Sequence, residues 1–231
     1  MHIAGTANVV AAARRAGAGK LVLLSFLRAR PGCGSPYHES KWAAEELVRR
    51  SGLDYTVIKA GMIYGRGDHL LDHLSHWLHT APFLPTVGPI DRAIRPLAIE
   101  DLVRIIRAAL LADRLSRRTV AATGPEEVTP GEVARRIARV RERRVRLFRL
   151  PVWAHLAAAQ VFEWTMAVPL TSRAQVRILA EGAAEPPPEA TPLPDDLLPV
   201  LDFSDAQIRR GLPGAARFGL GDMRCAGRLV R

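Results

Sequence analysis

The sequence has almost no lysine: Lys20, Lys41 and Lys59 are the only three among 33 basic residues, so the other 30 (33 − 3) are arginines. They spread from Arg14 to Arg231 and produce a net charge of +10 without gathering into a stripe. A nucleic-acid surface wants clustered cations with interleaved aromatics, so the pattern argues against nucleic acid as a partner. The charge still suits an acidic partner or peripheral association with an anionic membrane surface. Cysteine is equally scarce. Cys33 and Cys225 form no CxxC and no metal-ligand spacing, which removes a disulfide framework and a zinc site and fits a reducing, cytoplasmic setting. No run approaches the roughly 18 uncharged apolar residues that span a bilayer, so no integral membrane segment is expected. The start, MHIAGTANVVAAARR, lacks the layout of a secretory signal, and no internal repeat is visible. With 48% hydrophobic and 24% charged residues the chain has the composition of a folded globular protein.

What is present alternates. Thr6 to Arg15 is alanine-rich with helical period, and Gly17–Gly19 stops it. Lys20 to Phe26 is the continuous apolar run of a buried parallel strand. A Gly/Pro/Ser-rich loop from Arg28 to Pro36 leads to a helix over His38–Arg50, with Gly52 as its left-handed stop. Asp54 to Lys59 is a second β-rich run. The alternation predicts parallel crossovers and an α/β sheet. Further on, the pattern predicts a helix over His69–His79 and a proline-bearing loop over Ala81–Val87. A strand over Ile94–Ile99 comes next, then a helix over Leu102–Leu111 capped by Asp101. A strand over Thr119–Thr123 precedes a helix that runs from the capping box Thr129-Pro-Gly-Glu132 to Val140, and a strand covers Val145–Leu150. Pro151 to Leu170 reads as an amphipathic helix. The segment from Trp153 to Trp164 suits a membrane interface or packing in the core or substrate lobe, and His155, Gln160 and Glu163 favour the packing. Glu185 to Pro199 is extended and proline-rich, and Ser204-Asp-Ala-Gln207 starts a short helix.

Tyr37 and Lys41 stand at i and i+4 at the mouth of a helix, directly after the loop that leaves a buried strand. That spacing puts both on one face. A cation there favours the phenolate, which lowers the tyrosine pKa towards a range useful for proton exchange. His69, His73 and His76 also recur at helical spacing beside Asp72, but no further ligands are implied, so they are read as surface or substrate-facing residues and not as a metal site. Glu100 and Asp101 are read as helix-start carboxylates and not as an acid pair.

The ordered series Gly5-Thr6-Ala-Asn8, Lys20-Leu-Val-Leu-Leu-Ser25, Ser35-Pro-Tyr37-His-Glu-Ser-Lys41, Tyr55-Thr-Val-Ile-Lys-Ala-Gly61-Met-Ile-Tyr64-Gly65 and Arg95-Pro96-Leu-Ala-Ile-Glu-Asp101 resembles the middle of the extended short-chain dehydrogenases/reductases, which are NAD-dependent epimerase/dehydratase-like. Thr123-Gly-Pro-Glu126 and Pro169-Leu-Thr-Ser-Arg-Ala-Gln175-Val resemble the branch holding the accessory nucleotide-binding subunit of respiratory complex I and its bacterial relatives. The resemblance covers nearly the whole chain. It implies part of a Rossmann-like NAD(P)-binding domain over residues 1–122, lacking its N-terminal strands, and a smaller, mostly helical substrate-side lobe over 123–231. It also implies NAD or NADP as cofactor, a small-molecule substrate, and oxidoreductase or epimerase chemistry. Tyr37 is then the general acid/base, and Lys41 binds the nicotinamide ribose and tunes Tyr37. Ser25 is the strand-end hydroxyl that polarises the substrate oxygen, and Ala60, Gly61 and Ile63 form the cofactor-facing loop. The complex I branch implies an alternative, a non-catalytic nucleotide-binding or scaffold protein.

Three departures stand out. The family's catalytic hydroxyl falls one residue after Ser25, at Phe26, and an apolar ring donates no hydrogen bond to an oxyanion. Its Arg-Pro before the glycine is Lys59-Ala60 here. The GxxGxxG turn that holds the pyrophosphate is absent: Gly211-Leu-Pro-Gly214 follows no suitable strand, and Gly17-Ala-Gly19 precedes one. The resemblance starts where the family's fourth helix starts, about 80 residues in at roughly 30 per βαβ unit. Met1 is therefore expected to be a misplaced or truncated start, the remaining chain to be inactive alone, and the sheet to expose a long hydrophobic edge.

Overall fold

The computed structural model describes residues 2–166 and 169–214, and the side chains of residues 2, 69 and 70 are not among what it describes. Cys225 and the tail after residue 214 lie outside the described residues. The elements run α1 (His2–Arg15), β1 (Lys20–Phe26), α2 (Pro36–Arg49), β2 (Asp54–Ala60), β3 (Ile63–Tyr64), α3 (His69–Thr80), β4 (Phe83–Val87), β5 (Leu97–Ala98) and α4 (Ile99–Leu111). They continue with β6 (Arg118–Ala122), α5 (Pro130–Val140), β7 (Arg146–Leu150), α6 (Val152–Thr165), α7 (Arg173–Glu181), a 3-10 turn (Asp195–Leu197) and α8 (Asp205–Gly211).

The α/β class and the parallel sheet are as expected. β2 is central, pairing in parallel with β1 from Lys20↔Asp54 to Phe26↔Ala60 and with β6 from Thr56↔Arg118 to Ala60↔Ala122. Every residue of β2 from Thr56 to Ala60 is buried, as a strand covered on both faces requires. Ile58, Val120, Leu97, Leu102, Ile105, Leu193 and Leu197 close one core around it. Beyond β6 the chain returns as a proline-rich strap. Thr191 donates its N–H to the Thr119 carbonyl at 2.8 Å in a parallel bridge to Val120. Asp101 anchors the strap, because its buried carboxylate accepts the backbone N–H groups of Val200 and Leu201, each at 2.9 Å.

That corrects the reading of Asp101 as a cap. Helix α4 begins earlier, at Ile99 with Ala98 at the N-cap, so Asp101 lies within its first turn and turns its side chain to the strap. The expected strand over Ile94–Ile99 shrinks to Leu97–Ala98, with Ile94 bridging separately to Val128 and Ala183. The proline-bearing loop over Ala81–Val87 is in fact strand β4, parallel to β7 from Phe83↔Arg146 to Val87↔Leu150. Pro85 is tolerated because β4 is an edge strand of a two-stranded sheet. Helix α7 was not anticipated, although Ser172 and Gln175 form a complete capping box.

By contacts the chain forms two compact units that interleave in sequence. One comprises 1–63, 95–126 and 184–202 and holds the three-stranded sheet. The other comprises 64–94, 127–183 and 203–231 and holds β4, β7 and most helices after α4. The expected boundary at Thr123 falls inside the first unit's middle segment.

Candidate active site

Ser25, Tyr37, Lys41, Ala60, Gly61 and Ile63 belong to the first unit, near the carboxyl ends of β1 and β2, whereas His73 and His76 lie on α3 in the second. Pro36 opens α2 at a position where its missing N–H is no loss, and Tyr37 and Lys41 follow one turn apart on the same face. The Tyr37 ring packs on Phe26, centroids 5.7 Å apart, and on His38 at 5.8 Å. Phe26 in turn stacks nearly parallel on His38, 5.2 Å away. The last side chain of β1 on this side is therefore an aromatic ring held against the tyrosine.

The expected electrostatics differ from those found. Burial pushes the Tyr37 phenol above its ordinary 10.0, with no net lowering from Lys41. Lys41 lies below its ordinary 10.5, chiefly through burial, while the Glu45 carboxylate one turn further on works the other way. In this environment burial favours the neutral forms of both groups, so Tyr37 stays a protonated acid.

Ser25 alternates with Phe26 and points to the other face of β1. Its hydroxyl donates to Glu45 Oε1 at 2.5 Å, so its one proton is committed there. Glu45 is fully buried and also accepts from Arg49 at 2.7 Å and faces Lys59 Nζ at 3.5 Å. Lys59, equally buried, donates to the Ala29 carbonyl at 2.8 Å and to Glu189 of the strap at 2.9 Å. Arg49 reaches Thr119 on β6 as well. This Ser25–Glu45–Lys59–Glu189 network ties β1, α2, β2 and the strap together and was missed in the sequence. Its signal was a lysine inside an otherwise buried strand, which has to find an anion.

Ala60 is buried among Ile58, Leu97 and Val120, and Ile63 packs on the same core. Gly61 is also buried, and its N–H donates to the Ala122 carbonyl at 3.1 Å. These residues position the strand-end loop through their backbone. A separate cleft of about 330 Å³ lies beside α1 and β1, lined by Gly5, Thr6, Val9, Leu21, Leu23 and Val48. Its lining carries no titratable group.

No family model matches the chain. Among solved structures, UDP-glucuronic acid 4-epimerase from Bacillus cereus, in complex with UDP-glucuronic acid and NAD, superposes with a TM-score of 0.62. The match covers 90% of this chain and 65% of that one at 14% identity. RMD from Pseudomonas aeruginosa, complexed with NADPH, superposes at 0.55 over 65% of this chain and 60% of its own, at 16% identity. The chain has the fold of the NAD-dependent epimerases and dehydratases of the short-chain dehydrogenase/reductase type. Among curated proteins it is similar to an uncharacterized protein of Mycobacterium tuberculosis, 28% identical over 60% of this chain and 14% of that protein. It is also similar to the ceramide reductase of Caulobacter vibrioides, 29% identical over 63% of this chain and 45% of that enzyme. Subunit 9 of the NADH dehydrogenase [ubiquinone] 1 alpha subcomplex of Arabidopsis thaliana is 29% identical over 58% of this chain and 33% of that subunit. The chain thus spans less than half the length of these curated relatives. No helix among the described residues is long and apolar enough to cross a membrane.

Lys41 and Tyr37 share one helix face beside the strand ends. The sequence contains no GxxGxxG turn to receive the pyrophosphate.

Proposed function

We propose that this chain carries the proton-transfer half of an NAD(P)-dependent oxidoreductase or epimerase site acting on a small-molecule carbonyl or alcohol. The observation that carries the reading is the Tyr37–Lys41 pair, one turn apart at the start of α2 beside the carboxyl end of β1. When bound, the nicotinamide supplies or accepts hydride. Tyr37 delivers its phenolic proton to the substrate oxygen in the reductive direction and takes it back in the oxidative one. Its raised pKa keeps that proton in place at neutral pH. Lys41 would hold the ribose hydroxyls and steady the phenolate as it forms. Gly61, Ile63 and the Ala60 backbone, in the strand-end loop, would border the bound nicotinamide. Phe26 donates no hydrogen bond, so polarisation of the substrate oxygen falls to Tyr37.

Phe26 also favours a second reading, a nucleotide-binding scaffold without turnover, and the similarity to the complex I subunit supports it. One experiment separates the two. NADH and NADPH binding is measured by calorimetry, and carbonyl reduction by loss of cofactor absorbance, for the native chain and Tyr37→Phe. Turnover that falls by about 10²- to 10⁴-fold in Tyr37→Phe, with cofactor affinity nearly unchanged, supports catalysis. Cofactor binding with no turnover in the native protein supports the scaffold, and unchanged turnover removes Tyr37 from the mechanism.

A further inference from the structure

Helix α6 was expected to turn its tryptophans inward, and it does the opposite. Trp153 is 72% exposed and Trp164 69% exposed, with Val161 half exposed between them. At 3.6 residues per turn, Trp153, Ala157, Val161 and Trp164 fall within an arc of about 80°, and the two indoles stand about 16 Å apart along the axis. No charged residue lies in that arc. The opposite face holds His155 and Ala159, both buried, and α6 packs beside α7 in the same unit. An uncharged aromatic stripe of this kind is ordinarily covered by a core or a lipid phase, yet this one stands in water.

The approach to α6 adds charge and more apolar surface. Arg143, Arg144, Arg146 and Arg149 are all exposed, and among the described residues none of the four forms an ion pair with an acid. Phe148 is exposed among them and meets the exposed Phe83 of β4 with ring centroids 6.1 Å apart. Pro151 then joins β7 directly to α6. Exposed arginines, the exposed Phe148 and an uncharged tryptophan stripe thus follow one another within 143–164.

We infer that α6 and the arginine-rich strand before it form a docking surface for a bilayer carrying anionic headgroups, with the indoles seated at the interface and the arginines on the lipid phosphates. Charge complementarity selects this occupant. A second copy of the chain would set these four exposed arginines against the same four, whereas an anionic bilayer neutralises them. Indoles favour the headgroup level, where an apolar ring is buried and its N–H remains hydrated. The attachment is peripheral and reversible, because the stripe spans only a few turns.

The test is co-sedimentation of the purified chain with vesicles of equal parts phosphatidylcholine and phosphatidylglycerol, against vesicles of phosphatidylcholine alone. Binding to the anionic vesicles is expected, with a blue shift of tryptophan emission. Trp153→Ala/Trp164→Ala should weaken it by about tenfold or more. Each arginine of the four changed to glutamine should weaken it roughly fivefold. Trp153→Phe/Trp164→Phe should retain most of the binding, and unchanged far-ultraviolet dichroism will verify that each variant is folded. Three results would overturn the inference: no binding to anionic vesicles by the folded chain, binding indifferent to both tryptophans, or a lipid-free dimer that the alanine pair dissociates.

Discussion

Replacing Glu45 with alanine removes the anion at the centre of the buried network, and the structure sets the size of the effect. The carboxylate accepts from Ser25 at 2.5 Å and Arg49 at 2.7 Å, and stands 3.5 Å from the fully buried Lys59 ammonium. At an effective dielectric constant near 20, a pair at that separation interacts by about 5 kcal/mol. Part of this is retained, because Lys59 keeps the Ala29 carbonyl and Glu189, whose side chain is 52% exposed and hence screened. Leaving a buried charge without its buried partner destabilises by roughly 3–5 kcal/mol. Against a total stability of roughly 5–15 kcal/mol this is a large fraction. In urea, with a slope of about 2–3 kcal/mol per molar, the midpoint should fall by about 1–2 M. Glu45→Leu combined with Lys59→Met should recover most of that loss, because an apolar pair of similar volume leaves no orphaned charge. A fall of less than about 0.3 M for the alanine variant would refute the reasoning, and so would a double variant less stable than either single one.

Gly124→Ala should lower the melting temperature by several degrees in differential scanning fluorimetry, since its Cβ would stand 1.8 Å from the Pro96 carbonyl oxygen and backbone must move, at about 1–3 kcal/mol or more. Asp101→Ala frees the Val200 and Leu201 amides, so limited proteolysis should cut within 184–202 many times faster than in the native chain, with roughly 3 kcal/mol lost overall. Burial opposes the Glu189 carboxylate, but its bond to Lys59 outweighs this and holds its pKa below the usual value. That contribution is present above pH 4.5 and is lost as pH falls through the lowered pKa, so the same cleavage should accelerate in acid, and less steeply in Glu189→Gln, where Asp101 and Asp196 still titrate. Tyr37 should ionise above pH 10.0, because burial favours the neutral phenol. Tyrosinate absorbance of native chain minus Tyr37→Phe will report it, and a difference titrating below that value contradicts the assignment.

Much of the fold was legible because the residues of β1, β2 and α2 agree at every level. Continuous apolar runs make the buried strands, and Pro36 and Gly52 punctuate the helix between them. Where cues conflicted, the reading failed. Pro85 suggested a loop because proline donates nothing to a ladder, and only tertiary pairing with β7 discloses the edge strand. Asp101 had the chemistry of a cap, but its partners lie about a hundred residues away. The Tyr37–Lys41 spacing was visible, while the sign of the tyrosine's perturbation was not, since desolvation depends on packing by Phe26 and His38. The tryptophans of α6 were misread because His155, Gln160 and Glu163 argued for packing, and only the exposed area distinguishes a core stripe from a docking stripe.

The strap across β6 has a consequence for how the sheet can grow. Thr191 takes a place beside Val120, while Pro186, Pro187, Pro188, Pro192 and Pro194 around it have no N–H to offer a further strand. β6 is thus a sealed flank. β1, made of Lys-Leu-Val-Leu-Leu-Ser-Phe, is hydrogen-bonded to β2 on one side and takes no strand on the other among the described residues. The sheet therefore has a polarity of extension: a strand from any source, native or aberrant, is templated at β1 and refused at β6. Among the described residues β1 is the open flank of this sheet, and one charged substitution on the exposed Leu24 should reduce association through it.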